Sequence, residues 1–185
     1  MKVNREHDMQ KKDTNIRERF LIGMMCLSMF CVLFASQPED KPRRKSSEEV
    51  KLIHSDVLYK NQYDVRADVL VGHVKLYHDG MYLDCDSARF YKDENTFNAY
   101  GHVKMMQGDT LTLTSDTLLY DGPMMQAHAL GHAVLTHKGT KLVTSVIDYD
   151  RLEGVGFYPQ HGTLYDEDNV LNSDYGQYTP ALNEA

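Results

Sequence analysis

Three histidines recur in matching contexts: Gly72-His73-Val74-Lys75, Gly101-His102-Val103-Lys104 and Gly131-His132-Ala133-Val134. Imidazoles at equivalent places in stacked units are the raw material of a zinc site. Such a site needs three or four ligands in tetrahedral array, each ring oriented by a further partner. The sequence neighbours here are Lys75 and Lys104 rather than carboxylates, so the pattern predicts an exposed polar ladder and no metal. Aspartates recur as well, at Asp56, Asp86, Asp116 and Asp174, with Asp84, Asp121 and Asp148 nearby. Calcium-binding solenoids use Gly-rich nonapeptides with several oxygens converging per turn. One Asp per unit, after Ser or Cys, fits instead a local side-chain-to-backbone bond at a strand bend. Cys85 takes the place of Ser or Thr in this series and reads as a buried small residue rather than a reactive thiol.

Catalytic chemistry finds no vehicle. There is no G-x-S-x-G, H-E-x-x-H or P-loop, and no Cys with a plausible His/Asn context. A glycosidase needs two carboxylates facing one cleft, whereas these aspartates follow a repeat. No cofactor is implied. The charge is divided along the chain: residues 1–51 hold 11 Lys/Arg against 8 Asp/Glu, and residues 52–185 hold 9 against 19. So acidic a body excludes a nucleic-acid groove, which requires a basic stripe, and excludes an anionic membrane surface as the body's resting place.

The elements that must position these residues come from a repeat of about thirty residues. Ser55-Asp56, Cys85-Asp86, Ser115-Asp116, Thr144-Ser145 and Ser173-Asp174 follow one another at steps of 30, 30, 29 and 29. An apolar residue stands two places before each pair, and apolar then aromatic residues follow, as in Ala88/Phe90, Leu118/Tyr120 and Ile147/Tyr149. Turn signals such as His78-Asp79-Gly80 and His137-Lys138-Gly139 separate the halves of each unit. Within a unit the period is two, which means strands. Phe97, Ala99, Gly101, Val103 and Met105 share one face, as do Ala127, Ala129, Gly131, Ala133 and Leu135. No useful helical stripe follows residue 50. The fold class is therefore all-β, with stacked antiparallel strands that enclose one apolar interior and leave an edge at each end.

Repeated G-H-V-K-[LM] openings followed by L-x-[CST]-D-x-[AL]-x-[FY] strands resemble the OstA/LptA family of lipopolysaccharide transport proteins, over about residues 50–178. The resemblance implies a repetitive β-jellyroll that holds lipopolysaccharide acyl chains inside and stacks end to end with like domains as a periplasmic bridge. It carries no catalytic motif. On strand parity alone, mutual packing is the simpler use of the inward side chains; the resemblance turns the reading to lipid. The implied lipid-binding residues are Val74, Leu76, Leu83, Phe90, Phe97, Val103, Met105, Leu111, Leu113, Leu118, Met125, Leu135 and Leu142, with small residues among them leaving room for acyl chains. Two departures stand out: Thr144-Ser145 lacks the acidic residue, and the chain stops seven residues after Tyr178 without an evident cap. The second implies a truncated product or a partner at that edge.

The N-terminus reads as an export signal. A basic stretch precedes an unbroken apolar run from Phe20 to Ala35. Its sixteen residues would reach only about 24 Å as a helix, short of the roughly 30 Å hydrocarbon core. Two outcomes stay open: cleavage after residues near Ala35-Ser36, or retention as an inner-membrane anchor, basic side in. The expected organisation is a signal peptide or anchor at 1–36, a charged linker at 37–49, the jellyroll at 50–180 and a tail at 181–185. Membrane contact is expected only through an uncleaved N-terminal segment, and the body in the periplasm. Three uses compete: a lipopolysaccharide carrier, a surface β-solenoid for adhesion or glycan binding, and a scaffold that binds partner strands through its edges. The glycan reading needs clustered outward aromatics and has only Tyr77, Tyr82 and Tyr100.

Overall fold

The computed structural model describes residues 46–167 and 169–180. The apolar run at 20–35, the chain up to residue 45 and the tail at 181–185 lie outside the described residues. Twelve antiparallel strands form one continuous sheet. Six are long: β3 (Asp68–His78), β4 (Met81–Tyr91), β5 (Thr96–Gln107), β6 (Leu111–Asp121), β7 (Gln126–His137) and β8 (Thr140–Asp150). They pair in chain order as a meander. Short pieces complete the ends: β1 (Lys51–His54) and β2 (Val57–Lys60) both pair with β3, and β9 (Val155–Tyr158) and β10 (Gly162–Asp166) both pair with β8. β11 (Asn169–Ser173) and β12 (Gly176–Tyr178) then extend β10 and β9.

Turn chemistry alternates along the meander. Asp79-Gly80 and Lys138-Gly139 have both φ angles positive, the conformation of tight two-residue hairpins whose twist matches the strands. The opposite turns have four residues and end on the left-handed residues Asn95, Met125 and Gly154. These longer turns interlock: Gly122 N donates to Asn95 O at 3.1 Å and Arg151 N to Met125 O at 3.0 Å.

Every long strand bends near its middle, where the register slips by one residue. On β3, β5 and β7 the slip falls at Gly72-His73, Gly101-His102 and Gly131-His132, each a tandem of positive φ. Gly101 and Gly131 are thus half-buried corner residues, which corrects the expectation that strand parity carries them inward. On the even strands the frame itself changes. Leu83 and Cys85 point in, Asp86 points out, and Ala88 and Phe90 resume the inward frame three residues on. The same shift occurs at Ser115/Leu118 and Thr144/Ile147.

The corners divide the sheet into two half-sheets that face each other. The first holds β1, β10, β11 and the long-strand segments near the two- and three-residue turns; the second holds β2, β9, β12 and the segments near the four-residue turns. Their inner faces build one hydrophobic core. Leu52, Leu76, Leu83, Met105, Leu113, Leu135, Leu142, Leu164 and Leu171 lie in register across the first half-sheet. A matching row on the second runs through Phe90, Phe97, Tyr120, Ala127, Tyr149, Gly156 and Tyr178. The half-sheets approach so closely that a Cβ on Gly156 would sit 3.0 Å from Leu135 Cδ2.

Candidate functional site

The candidate site is this interior. Twelve of the thirteen sequence-predicted residues belong to one buried cluster: Val74, Leu76, Leu83, Phe90, Phe97, Val103, Met105, Leu111, Leu113, Leu118, Leu135 and Leu142. Met125 is buried too, but it sits in the β6–β7 turn outside that cluster. Strand parity missed Leu70, Met81, Ile147, Tyr149, Tyr158 and Tyr178, all of which join the cluster. For Ile147 and Tyr149 the signal was available in the frame change at Thr144, after which the inward residues of β8 become odd-numbered, as they become even-numbered on β4 and β6 after Cys85 and Ser115. Met81 already shares the odd frame of Leu83 and Cys85.

The side chains pack against one another along the whole interior, and the central ones have no solvent exposure. Nine apolar residues in register, separated by eight steps of about 4.8 Å, make the row on the first half-sheet about 38 Å long. Ala88, Ala99, Ala127, Ala129 and Ala133 are small buried residues among the interior side chains. A recess of ≈ 730 Å³ opens elsewhere, on the outer face of the second half-sheet, lined by Asn98, Leu119, His128, Asp148, Phe157 and Gln177 among others. There His128 Nδ1 bonds the Asp148 carboxylate.

Among the described residues, buried hydroxyls stand at the corners (Ser115 and Thr144), whereas the buried ionisable side chains His78 and Arg151 stand where the half-sheets meet opposite the corners. His78 is fully buried and Arg151 nearly so. The Arg151 guanidinium donates to the Tyr120 hydroxyl, to Asp79 O at 2.8 Å and to Gln107 Oε1 at 3.1 Å. His78 Nδ1 meets the Tyr120 hydroxyl at 2.7 Å, and Nε2 reaches Glu48 O at 3.1 Å. Burial foremost, with Arg151 adding to it, lowers the His78 pKa from its usual 6.5, against the opposing bond to Glu48. Burial also pushes the Tyr120 hydroxyl up to about 12. Nothing in the repeat marked this cluster; His78 stood in the sequence as part of a turn signal. Residues 46–49, read as the end of the linker, bond directly to the domain around it.

On the outside, the histidine ladder is real but not free of carboxylates. His73, His102 and His132 each place Nδ1 2.7 Å from a carboxylate oxygen, of Asp56, Asp86 and Asp116 respectively. This corrects the sequence reading, which had the rings beside lysines alone. It also corrects the role given to the aspartates. The local bond to the backbone is made by the preceding residue, Cys85 Sγ to Ser87 O and Ser115 Oγ to Thr117 O. The Asp carboxylate instead grips the His of the neighbouring strand. Its bond to Asp86 raises the His102 pKa from 6.5. At the corner without an acidic residue, Ser145 Oγ donates to Gln160 Oε1 at 2.8 Å. The second and third rungs are single His–Asp pairs, while at the first His54 Nε2 also lies 3.2 Å from Asp56 Oδ1. Among the described residues no site for a metal ion is formed by three or more His, Cys, Asp or Glu side chains. Cys85 is buried, and desolvation raises its thiol pKa to about 12, which keeps it protonated. Tyr77 and Tyr82 meet at 4.9 Å between ring centroids on the first half-sheet, while Tyr100 lies on the second.

An all-β domain of antiparallel strands, stacked by repeat around a single apolar interior, is the class that fold and site define. The chain belongs to the OstA-like protein family, whose pattern matches residues 47–185. Among solved structures it is similar to LptH of Pseudomonas aeruginosa, described as the LptA-homologous periplasmic component of the lipopolysaccharide transport device. That similarity has a TM-score of 0.49 at 15% identity and covers 59% of this chain and 80% of that one. A comparison with curated proteins gave no match.

Proposed function

We propose that this domain is a periplasmic carrier of lipopolysaccharide for outer-membrane assembly, holding the acyl chains between its half-sheets. The supporting observation is the apolar row of the first half-sheet, which crosses nine strands without a polar interruption. A lipid tail spans about 15 Å of one leaflet, half of a roughly 30 Å hydrocarbon core. A row of about 38 Å is long enough for two such tails end to end. Each methylene moved from water into this interior contributes about 0.8 kcal/mol, so even partial insertion gives firm binding. The thirteen predicted residues, Met125 at the periphery, are the proposed contacts. Stacking against like domains would use the edge strands, where Val57, Leu58, Val170 and Leu171 are exposed. If the segment at 20–35 is retained, it would tether the carrier to the inner membrane.

A photo-crosslinking amino acid at Val103 or Leu113 is expected to trap lipopolysaccharide in the cell envelope. The same group at Tyr100 or His102, on the outer face and corner, is expected not to. Equal labelling from both faces, or from neither, overturns the reading.

A further inference from the structure

Hydrogen bonds tie the two half-sheets together along the side opposite the corners. There the turns of the two half-sheets meet, and the junction has an unusual composition. Residues 46–50 cross it as a strap: Ser46 N donates to Pro123 O at 2.9 Å, Val50 N to Asn95 Oδ1 at 2.7 Å, and Asn95 Nδ2 to Glu48 O at 2.8 Å. Those three bonds fix the strap to the four-residue turns of the second half-sheet. His78, from the first half-sheet, holds the same Glu48 carbonyl from the other side. Beside the strap, Arg151 leaves the β8–β9 turn and reaches across to Asp79 and Gln107 on the first half-sheet. Val50 is itself buried against the core.

We propose that the strap at 46–50 and the Arg151–Tyr120–His78 cluster form a releasable clasp, and that lipid enters the interior by its opening. This rests on the lipid-carrier reading above and adds the route. A permanent seal would be built more stably from apolar side chains, because a buried cation must offset its desolvation with hydrogen bonds. Here the cation is held by neutral oxygens and a phenol, partners that water can replace when the half-sheets part. The corner side offers no such route, since its strands are continuous and paired across the sheet. The clasp also accounts for the cation at this junction, since Arg151 is the one buried Lys or Arg among the described residues.

The test is the rate of loading of the full chain with purified lipopolysaccharide in detergent micelles, read as photo-crosslinking from Leu113 over time. R151A and, independently, N95A, which removes both side-chain bonds to the strap and adds left-handed strain only in its own turn, outside the core, are expected to load at least fivefold faster to the same final extent. I147V serves as control; it loosens the core in mid-strand, away from the clasp, and is expected to load at the wild-type rate. Unchanged rates in N95A, or acceleration of I147V equal to that of the clasp variants, overturn the clasp while leaving the carrier reading intact. Absence of labelling at Leu113 in every variant overturns both. Should R151A fail to fold, N95A decides alone.

Discussion

At the scale of single residues, the informative unit is Gly-His opposite Asp. Gly101 has φ +73, and a Cβ there would lie 2.3 Å from Asp86 Oδ2. Two separate costs therefore attach to G101A: left-handed strain of about 1–2 kcal/mol, and displacement of the carboxylate that grips His102. Gly80, at φ +76 with nothing within 4 Å of a Cβ, carries only the first. Urea denaturation is expected to show G80A destabilised by about 1–2 kcal/mol and G101A by more. The double variant G101A/D86S is expected to recover part of the difference; if it recovers none, the contact with Asp86 is not what demands glycine. The pairing itself was hidden in the sequence because Asp86 and His102 are 16 residues apart and meet only through the register of β4 and β5. A constant Asp-to-His offset of 16 or 17 in three units was nevertheless legible. Reading each His only beside its immediate neighbours concealed it.

At the scale of elements, period and turn chemistry made the strands readable, and twelve of the predicted side chains lie in one core because hydrophobic parity is what a half-buried strand must obey. Parity failed where the strands bend. A corner inserts or removes one residue, and only the L-x-[CST]-D-x-[AL] spacing records it. The clasp escaped for a different reason: Arg151 comes from a turn and satisfies itself on elements 31 to 72 residues away. Its chemistry makes a pH prediction. Because burial depresses the His78 pKa, the folded chain binds fewer protons at this ring than the unfolded chain does just below pH 6.5. The stabilisation is present above 6.5 and is lost as pH falls from 6.5 through the folded value. His102 works in the opposite sense. Its raised pKa contributes stability below 6.5 that is lost as pH rises past the folded value. Subtracting the urea stability of H78Q from that of the wild type isolates the first effect. The difference is expected to shrink on acidification from pH 7.5 to 5.5, with Glu48, Asp79, Tyr120 and Arg151 facing the ring throughout. A difference that is flat or grows toward acid would mean that His78 is not held neutral.

At the scale of the whole molecule, a repeat that buries its interior unit by unit cannot bury its first and last strands. The exposure is paired: Val57, Leu58 and Tyr59 at one edge, Val170 and Leu171 at the other, all from about half to 60% exposed. Free edges with apolar side chains are templates for another strand, and proteins that must stay monomeric blunt them with charge or proline. Neither edge is blunted in that way on its apolar positions. The opposing edges also end the same interior, since Leu52 and Leu171 terminate the apolar row that spans the sheet. Joining β2 and β1 of one copy to β12 and β11 of another would continue that row across the junction, whereas joining two like edges would oblige the interior to reverse. Head-to-tail association is therefore the proposed mode, and it is open-ended. Sedimentation of the full chain in mild detergent is expected to show concentration-dependent oligomers beyond the dimer. V170K, which sets a desolvated ammonium on one edge only, is expected to weaken association by at least about tenfold, equivalent to roughly 1.4 kcal/mol. The sharper outcome comes from mixing V170K with V57K. Each keeps one intact edge, and the two intact edges are complementary, so the mixture is expected to form dimers and stop there. Continued growth of the mixture, or wild-type association by either variant alone, would show that these edges are not where the copies meet.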